Sequence, residues 1–252
     1  ITNQEREIVV LVIGESARRD HFSLYGYAKQ TNPLLEDDSV VALVADASAT
    51  YTTEGVKAIL DHKPTGELYE ILPNYLYRNG VDVVWRSTNW GEPPLHIEHS
   101  YNLGALKERY PEADGNYDGI LLEGLKEEIE ACEAPKVLIV MHTSTSHGPE
   151  YYAKYPKEFE QFTPVCTTVE MSKAVRSELI NAYDNTILYT DYLIHTAIEQ
   201  CAGIRQAACY TDRRKRACLP VLVAVICKPK IKQALGSFVS IITRWCRHDH
   251  GD

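Results

Sequence analysis

Residues 8–27 read IVVLVIGESARRDHFSLYGY, and no other stretch limits the fold as tightly. Ile8 to Ile13 are six apolar residues in a row, most of them β-branched. A strand with one wet face alternates apolar and polar residues, so an unbroken run suits a central strand of a parallel sheet covered on both faces. The run stops at Gly14-Glu15-Ser16, which puts an acid at the carboxyl end of the strand. In open α/β sheets that edge is where ligands and metals gather. Taken alone, Glu15 reads first as a solvated loop acid.

Three further apolar runs have the same character: Val40 to Val44 (VVALV), Val81 to Trp85 (VDVVW) and Val137 to Met141 (VLIVM). Segments of helical spacing lie between and after them. A helix is expected from near Gly55. Another carries Leu68, Leu72, Tyr75 and Leu76 and stops at Asn79-Gly80. A third, from about Tyr117, lines Leu122, Leu125, Ile129 and Cys132 along one face and turns Glu127, Glu128 and Glu130 to solvent. Ile180, Tyr183, Ile187, Ile194 and Ile198 trace a long amphipathic helix. Four strand–helix alternations in 252 residues predict an α/β fold, a doubly wound and mainly parallel sheet with helices on both faces.

Each predicted strand runs into a polar cluster. Asp46 to Glu54 is dense in hydroxyls just ahead of a helix, where Thr52 or Thr53 suits an N-cap. The same place suits a phosphorylated nucleophile, because free backbone N–H groups and the helix dipole stabilise added negative charge. Arg86-Ser87-Thr88-Asn89-Trp90-Gly91 follows the third run. His142 and His147, five residues apart, follow the fourth. A pair of histidines beyond a strand fits ligation, and it fits a structural role too.

Charge divides the chain. Residues 201–252 hold 10 Lys+Arg against 3 Asp+Glu, and residues 1–200 hold 16 against 32. An acidic body excludes nucleic acid as the partner, since phosphate contacts need clustered Lys and Arg. The basic run Arg213 to Arg216 is short and reads as a solvated loop. Five of the seven cysteines (Cys201, Cys209, Cys218, Cys227, Cys246) fall in the basic part, and an odd total supports no disulfide framework. No apolar run reaches the roughly 20 residues of a membrane span. Ile1 is not a natural start, so the expectation is a segment of a longer protein.

Gly14–Leu35, GESARRDHFSLYGYAKQTNPLL, resembles the opening of the catalytic domain of lipid A phosphoethanolamine transferases, membrane-anchored members of the alkaline phosphatase and sulfatase superfamily. Ser146–Cys166, SHGPEYYAKYPKEFEQFTPVC, is similar to their histidine loop. Leu179–Ile194 is similar to their long helix, and LLEGL at Leu121–Leu125 fits as well. The resemblance spans residues 8–200. It implies that Glu15 binds a catalytic zinc and that a threonine of TYTTE, Thr52 with Thr53 as the alternative, is the zinc-bound nucleophile that becomes phosphorylated. Asn89 resembles a contact to the substrate phosphate. His147 resembles a histidine that binds the phosphate or a second zinc, with His142 a further candidate beside it. Phosphatidylethanolamine is the implied donor, and a lipid A phosphate or a lipopolysaccharide core sugar the acceptor. The implied place is the periplasmic face of the bacterial inner membrane, reached through an N-terminal transmembrane part that is missing here.

Past about Cys201 the resemblance stops. The family next shows a strand ending in Asp-His-Gly-Glu and later a His-Gly, which supply the remaining zinc ligands. Here the chain ends in Asp249-His250-Gly251-Asp252, preceded by Arg244-Trp245-Cys246-Arg247-His248 rather than by a strand. The expected division is therefore a sulfatase-like catalytic domain over 1–200, incomplete at its C-terminus, and an atypical basic, Cys-rich tail over 201–252, with a strand possible at Val221 to Ile226. Beside the transferase stand two other readings: a sulfatase-like phosphohydrolase or phosphoglycerol transferase, and an inactive remnant that lacks the Asp and His ligands.

Overall fold

The structure, a computed structural model, describes residues 7–38, 40, 42–44, 49–61, 70–170, 172–202 and 204. The expectations for Val41, for residues 45–48, for Leu68 and for the tail from 205 onward, with its apolar run and its Asp249 and His250, lie outside the described residues.

In chain order the regular elements are β1 (Glu7–Ile13), α1 (Pro33–Asp37), α2 (Thr52–Leu60), α3 (Leu72–Arg78), β2 (Asp82–Ser87), β3 (His99–Tyr101), α4 (Leu103–Arg109), α5 (Leu125–Ala131), β4 (Lys136–His142) and α6 (Arg176–Ala202). The strands form one parallel sheet in the order β1-β4-β2-β3. The most apolar run, β4, lies between β1 and β2, with Ile13 and Ser87 both opposite His142.

Alternation along the strands divides the core into two layers. Ile8, Val10, Val12, Val84, Val137, Ile139 and Met141 pack under α4, α5 and α6. Leu11, Ile13, Val83, Trp85, Leu138 and Val140 pack under α2 and α3. Helices thus cover both faces, as the unbroken runs require.

Three expectations change. Val40 to Val44 forms no strand at its described positions: Leu43 is 56% exposed and Val44 70%, and the Leu43 carbonyl accepts from the Tyr25 hydroxyl. β-Branched composition makes a strand only where a neighbouring strand is there to pair with it. The remaining position in the sheet goes to β3, three polar residues on its edge. The helix expected from Tyr117 is broken: a 3₁₀ turn at Asp118–Leu122 precedes Gly124 at φ +61°, and only then does α5 begin. Glu128 is not solvated but buried, 2.9 Å from Arg109 and bonded by the Tyr101 hydroxyl.

The loop after β1 is held by buried polar residues of α6. Asp184 accepts from Lys29 Nζ at 2.6 Å and Tyr27 Oη at 2.9 Å and lies 2.6 Å from His21 Nδ1. Asp191 accepts from the backbone N–H groups of Leu34 and Leu35, which close the N-terminus of α1. Burial pushes the Asp191 carboxyl from the usual 3.8 up to about 6, against the opposing effect of those two N–H groups. Folding therefore favours its protonated form, and that stabilisation is full below about 4 and lost as pH rises through about 6. The difference in urea midpoint between the wild type and Asp191→Asn is expected to shift toward the wild type as pH falls from 7 to 4.5. A difference that stays flat with pH would contradict the assignment.

Candidate functional site

The residues of interest gather at the carboxyl edge of the sheet. Glu15 stands two residues past the end of β1 and is 5% exposed. Its neighbour Ser16 takes φ +50°, a left-handed conformation unusual for a residue with a Cβ. Tyr183 of α6 pins this turn, donating its hydroxyl to the Ser16 carbonyl at 2.8 Å and accepting from Arg18 N at 2.7 Å. Ser16 Oγ in turn donates to Glu15 Oε1. Such strain persists only where the surroundings hold it, and here it aims the carboxylate inward.

Thr52 is the first residue of α2. The capping role open to Thr52 or Thr53 is not used: Tyr51 is the N-cap residue and no side chain caps the helix. The Thr52 hydroxyl instead donates to Glu15 Oε2 at 2.8 Å. Asn89, in the loop after β2, is fixed by Nδ2–H donation to the Thr143 carbonyl at 2.6 Å and also reaches Glu15 Oε2 at 3.3 Å. Glu15, Thr52 and Asn89 therefore converge on one buried carboxylate. Gly91, at φ +87°, lets that loop pass close to α2, since a Cβ there would come within 2.9 Å of Thr53 Cγ2.

His147 is half-buried and meets this group only through its neighbour, the ring of Trp90, at a centroid distance of 4.8 Å. His142 lies deeper. It is fully buried, with Nδ1 3.2 Å from Glu92 Oε1, and Ser87 Oγ bonds to the same carboxylate oxygen. Its Nε2 is buried and has no hydrogen-bond partner among the described residues. The ring lines a small crevice of about 20 Å³ with Gly14, Glu15, Ser16, Thr52 and Val56. Glu92 carried no signal in the sequence beyond its place two residues after Trp90.

Beneath both histidines lies Asp118, 2% exposed. It accepts from the backbone N–H groups of Ser144 and Thr145, both at 2.8 Å, and from the hydroxyls of Ser144, Thr145 and Thr88. One carboxylate thus joins the loops that follow β2 and β4. Sequence reasoning passed over it, because a single Asp in a Gly- and Asn-rich loop has no pattern of its own.

The donor set suits a metal in part. The Glu15 carboxylate and the Thr52 hydroxyl are oxygen donors of the kind zinc accepts, and His142 lines the same crevice. Among the described residues no three His, Cys, Asp or Glu side chains come together as a metal-binding group. Cys166 and Cys201 form no disulfide among the described residues. A larger cleft of about 990 Å³ runs along α6 between Phe159, Tyr189 and Tyr192 on one side and Glu123 and Glu127 on the other. None of Glu15, Thr52, Asn89 or His147 lines it. No helix among the described residues is long and apolar enough to cross a membrane.

The sulfatase family profile matches residues 7–206. The phosphoethanolamine transferase EptA of Helicobacter pylori is 39% identical over 212 residues, which are 82% of this chain and 41% of that protein. The chain thus spans about two fifths of the length of the curated relatives it matches. Among solved structures, the C-terminal periplasmic domain of phosphoethanolamine transferase EptC from Campylobacter jejuni superposes with a TM-score of 0.71 at 32% identity, covering 80% of this chain and 65% of that one. The periplasmic domain of Escherichia coli EptC in complex with zinc gives 0.59 at 24% identity over 78% of this chain and 60% of that one, a likeness of fold.

Proposed function

The chain belongs to the sulfatase family, and from that premise we propose that it is part of a phosphoethanolamine transferase that works through a phosphothreonine at Thr52 and depends on zinc. The observation that carries this is the hydroxyl of Thr52, at the first residue of α2, held on the buried carboxylate of Glu15. The relatives described as phosphoethanolamine transferases support the class of reaction. The donor is phosphatidylethanolamine, the acceptor lipid A or a core sugar, and the place the periplasmic face of the inner membrane.

Thr52 Oγ attacks the phosphorus of the donor. The new O–P bond forms as the bond to the diacylglycerol oxygen breaks, and the hydroxyl proton ends on that leaving oxygen. An oxygen of the acceptor then attacks the same phosphorus, and the Thr52 O–P bond breaks. Throughout, the N–H groups and dipole at the start of α2 face the negative charge on the phosphoryl group. Asn89 orients that group beside Glu15, and His147 approaches it from the loop past β4. Zinc held by Glu15 and Thr52, when bound, makes the hydroxyl a nucleophile at neutral pH and neutralises charge on the phosphoryl oxygens.

The test is incubation of the full chain, with zinc, on phosphatidylethanolamine vesicles. Diacylglycerol release together with a phosphoethanolamine adduct on the peptide containing Thr52 is the expected result. Free phosphoethanolamine with no adduct points to the hydrolase. Neither product leaves the inactive remnant.

A further inference from the structure

We propose that the cleft along α6 binds a linear polyamine, whose ammonium groups lie between aromatic rings and carboxylates. Neither Glu15 nor Thr52 lines this cleft, and its ligand does not depend on the reaction proposed above. One wall is aromatic. Phe159 stands 4.8 Å from Tyr189 and 5.0 Å from Tyr192, ring centre to ring centre, and Tyr117 meets Tyr189 edge-on at 6.3 Å. Rings gathered in this way are most often core, and Tyr189, 2% exposed, belongs to it. Tyr192 is 37% exposed and Phe159 only half-buried, so the cluster is left open to the cleft.

The rest of the lining sets the sign of the ligand. Asp114, Glu123, Glu127 and Glu158 line the same cleft, and none of them forms an ion pair among the described residues. Of the two lysines there, Lys157 is held by Glu160 at 2.5 Å. Burial, with the charges of Asp118 and Asp114, pushes the Tyr189 phenol up. A field that disfavours a phenolate favours a cation. Carboxylates alone would be a solvated face. Beside open rings they hold an organic ammonium, whose charge is drawn both to the negative face of a ring and to a carboxylate.

Shape selects the kind of cation. A metal ion needs several donors converging on one point, and no three His, Cys, Asp or Glu side chains do so among the described residues. The cleft is long instead. Tyr189, Tyr192, Thr196 and Gln200 recur along one side of α6, a span of roughly 16 Å at the rise of an α-helix. Its volume of about 990 Å³ far exceeds that of one ammonium group. A linear polyamine matches both features. Its charges are spread along an extended chain, each ammonium can donate to a carboxylate, and the methylenes between them can lie on the rings.

The full chain is titrated with spermidine at low salt in a calorimeter, where exposed charges are least screened. Saturable binding of one equivalent is expected. Phe159→Leu keeps apolar volume and removes the ring face, and is expected to weaken binding about 3- to 10-fold. Tyr192→Leu, at the more open ring, gives the same reading should Phe159→Leu fail to fold. Glu123→Gln with Glu127→Gln is expected to weaken binding about 2- to 10-fold. Glu112→Gln with Glu130→Gln removes the same charge from exposed positions outside the cleft, and is expected to leave binding unchanged. Tetramethylammonium, a single compact charge, is expected to bind more weakly than spermidine. Absence of spermidine binding, or ring variants that bind as the wild type does, overturns the proposal. So does an equal loss in the two glutamine pairs, which would mean attraction to the acidic body at large. Tetramethylammonium that binds as well as spermidine overturns the linear ligand.

Discussion

Thr52→Ala is expected to abolish the covalent capture of phosphoethanolamine proposed above and to leave the fold intact. The hydroxyl joins the start of α2 to Glu15, and alanine has no atom to replace it. Loss of a nucleophile costs about three orders of magnitude or more in turnover. The structural cost is small. Thr52 is only half-buried, caps nothing, and alanine is the better helix former. Removing its hydrogen bond costs about 1 kcal/mol. Mass spectrometry of the peptide spanning residues 49–61 after incubation with donor lipid reads the adduct, and a thermal melt reads the fold. Thr53→Ala is the control. Its methyl lies beside Gly91, and the hydroxyl that donates to Glu15 is that of Thr52, so the adduct should remain. An adduct that survives Thr52→Ala and disappears in Thr53→Ala moves the nucleophile by one residue.

Legibility in the sequence followed burial. The runs that became β1, β2 and β4 are apolar on both sides and have no other place in a water-soluble layer, so their composition alone located them. β3 is His-Ser-Tyr on an open edge, stabilised by backbone pairing to β2, and backbone pairing leaves no trace in side-chain type. Val40 to Val44 has the residues of a strand and no strand beside it among those described. α6 was legible as a helix from its isoleucines. Its buried Asp184, Asn185, Thr186 and Asp191 were not, because their partners come from distant loops: the loop after β1, more than 150 residues away, for Asp184 and Asp191, and the segment after β4 for Asn185 and Thr186. The same holds at the site. Glu15 and Thr52 came from a resemblance between whole segments, and their 2.8 Å contact accords with it. Glu92 and Asp118 work through contacts that span 50 and about 26 to 30 residues, with no local motif to mark them.

Asp118→Ala is expected to cost about 3–5 kcal/mol, the range for breaking a buried charged network. The carboxylate has no cationic partner among its hydrogen bonds and is held by five donors on three residues. Without it two backbone N–H groups and three hydroxyls lose their acceptor in a site that is 2% exposed. The hydroxyls can rotate toward other acceptors, as Thr88 Oγ1 already approaches the His142 carbonyl at 3.4 Å. The two N–H groups cannot. Asp118→Asn, which keeps one acceptor oxygen and shape but adds donors, should fall between the two. The damage is directional as well. Asp118 ties the residue before Asn89 to the two residues before Ser146 and His147, so its loss should loosen Asn89 and His147 and leave Glu15, in the turn after β1, in place. Urea unfolding reads the first effect. Hydrogen exchange at Ser144 and Thr145, faster than at β1 under conditions where the variant is still folded, reads the second. Uniform exchange across both segments would mean that Asp118 supports the whole domain rather than the two loops it joins.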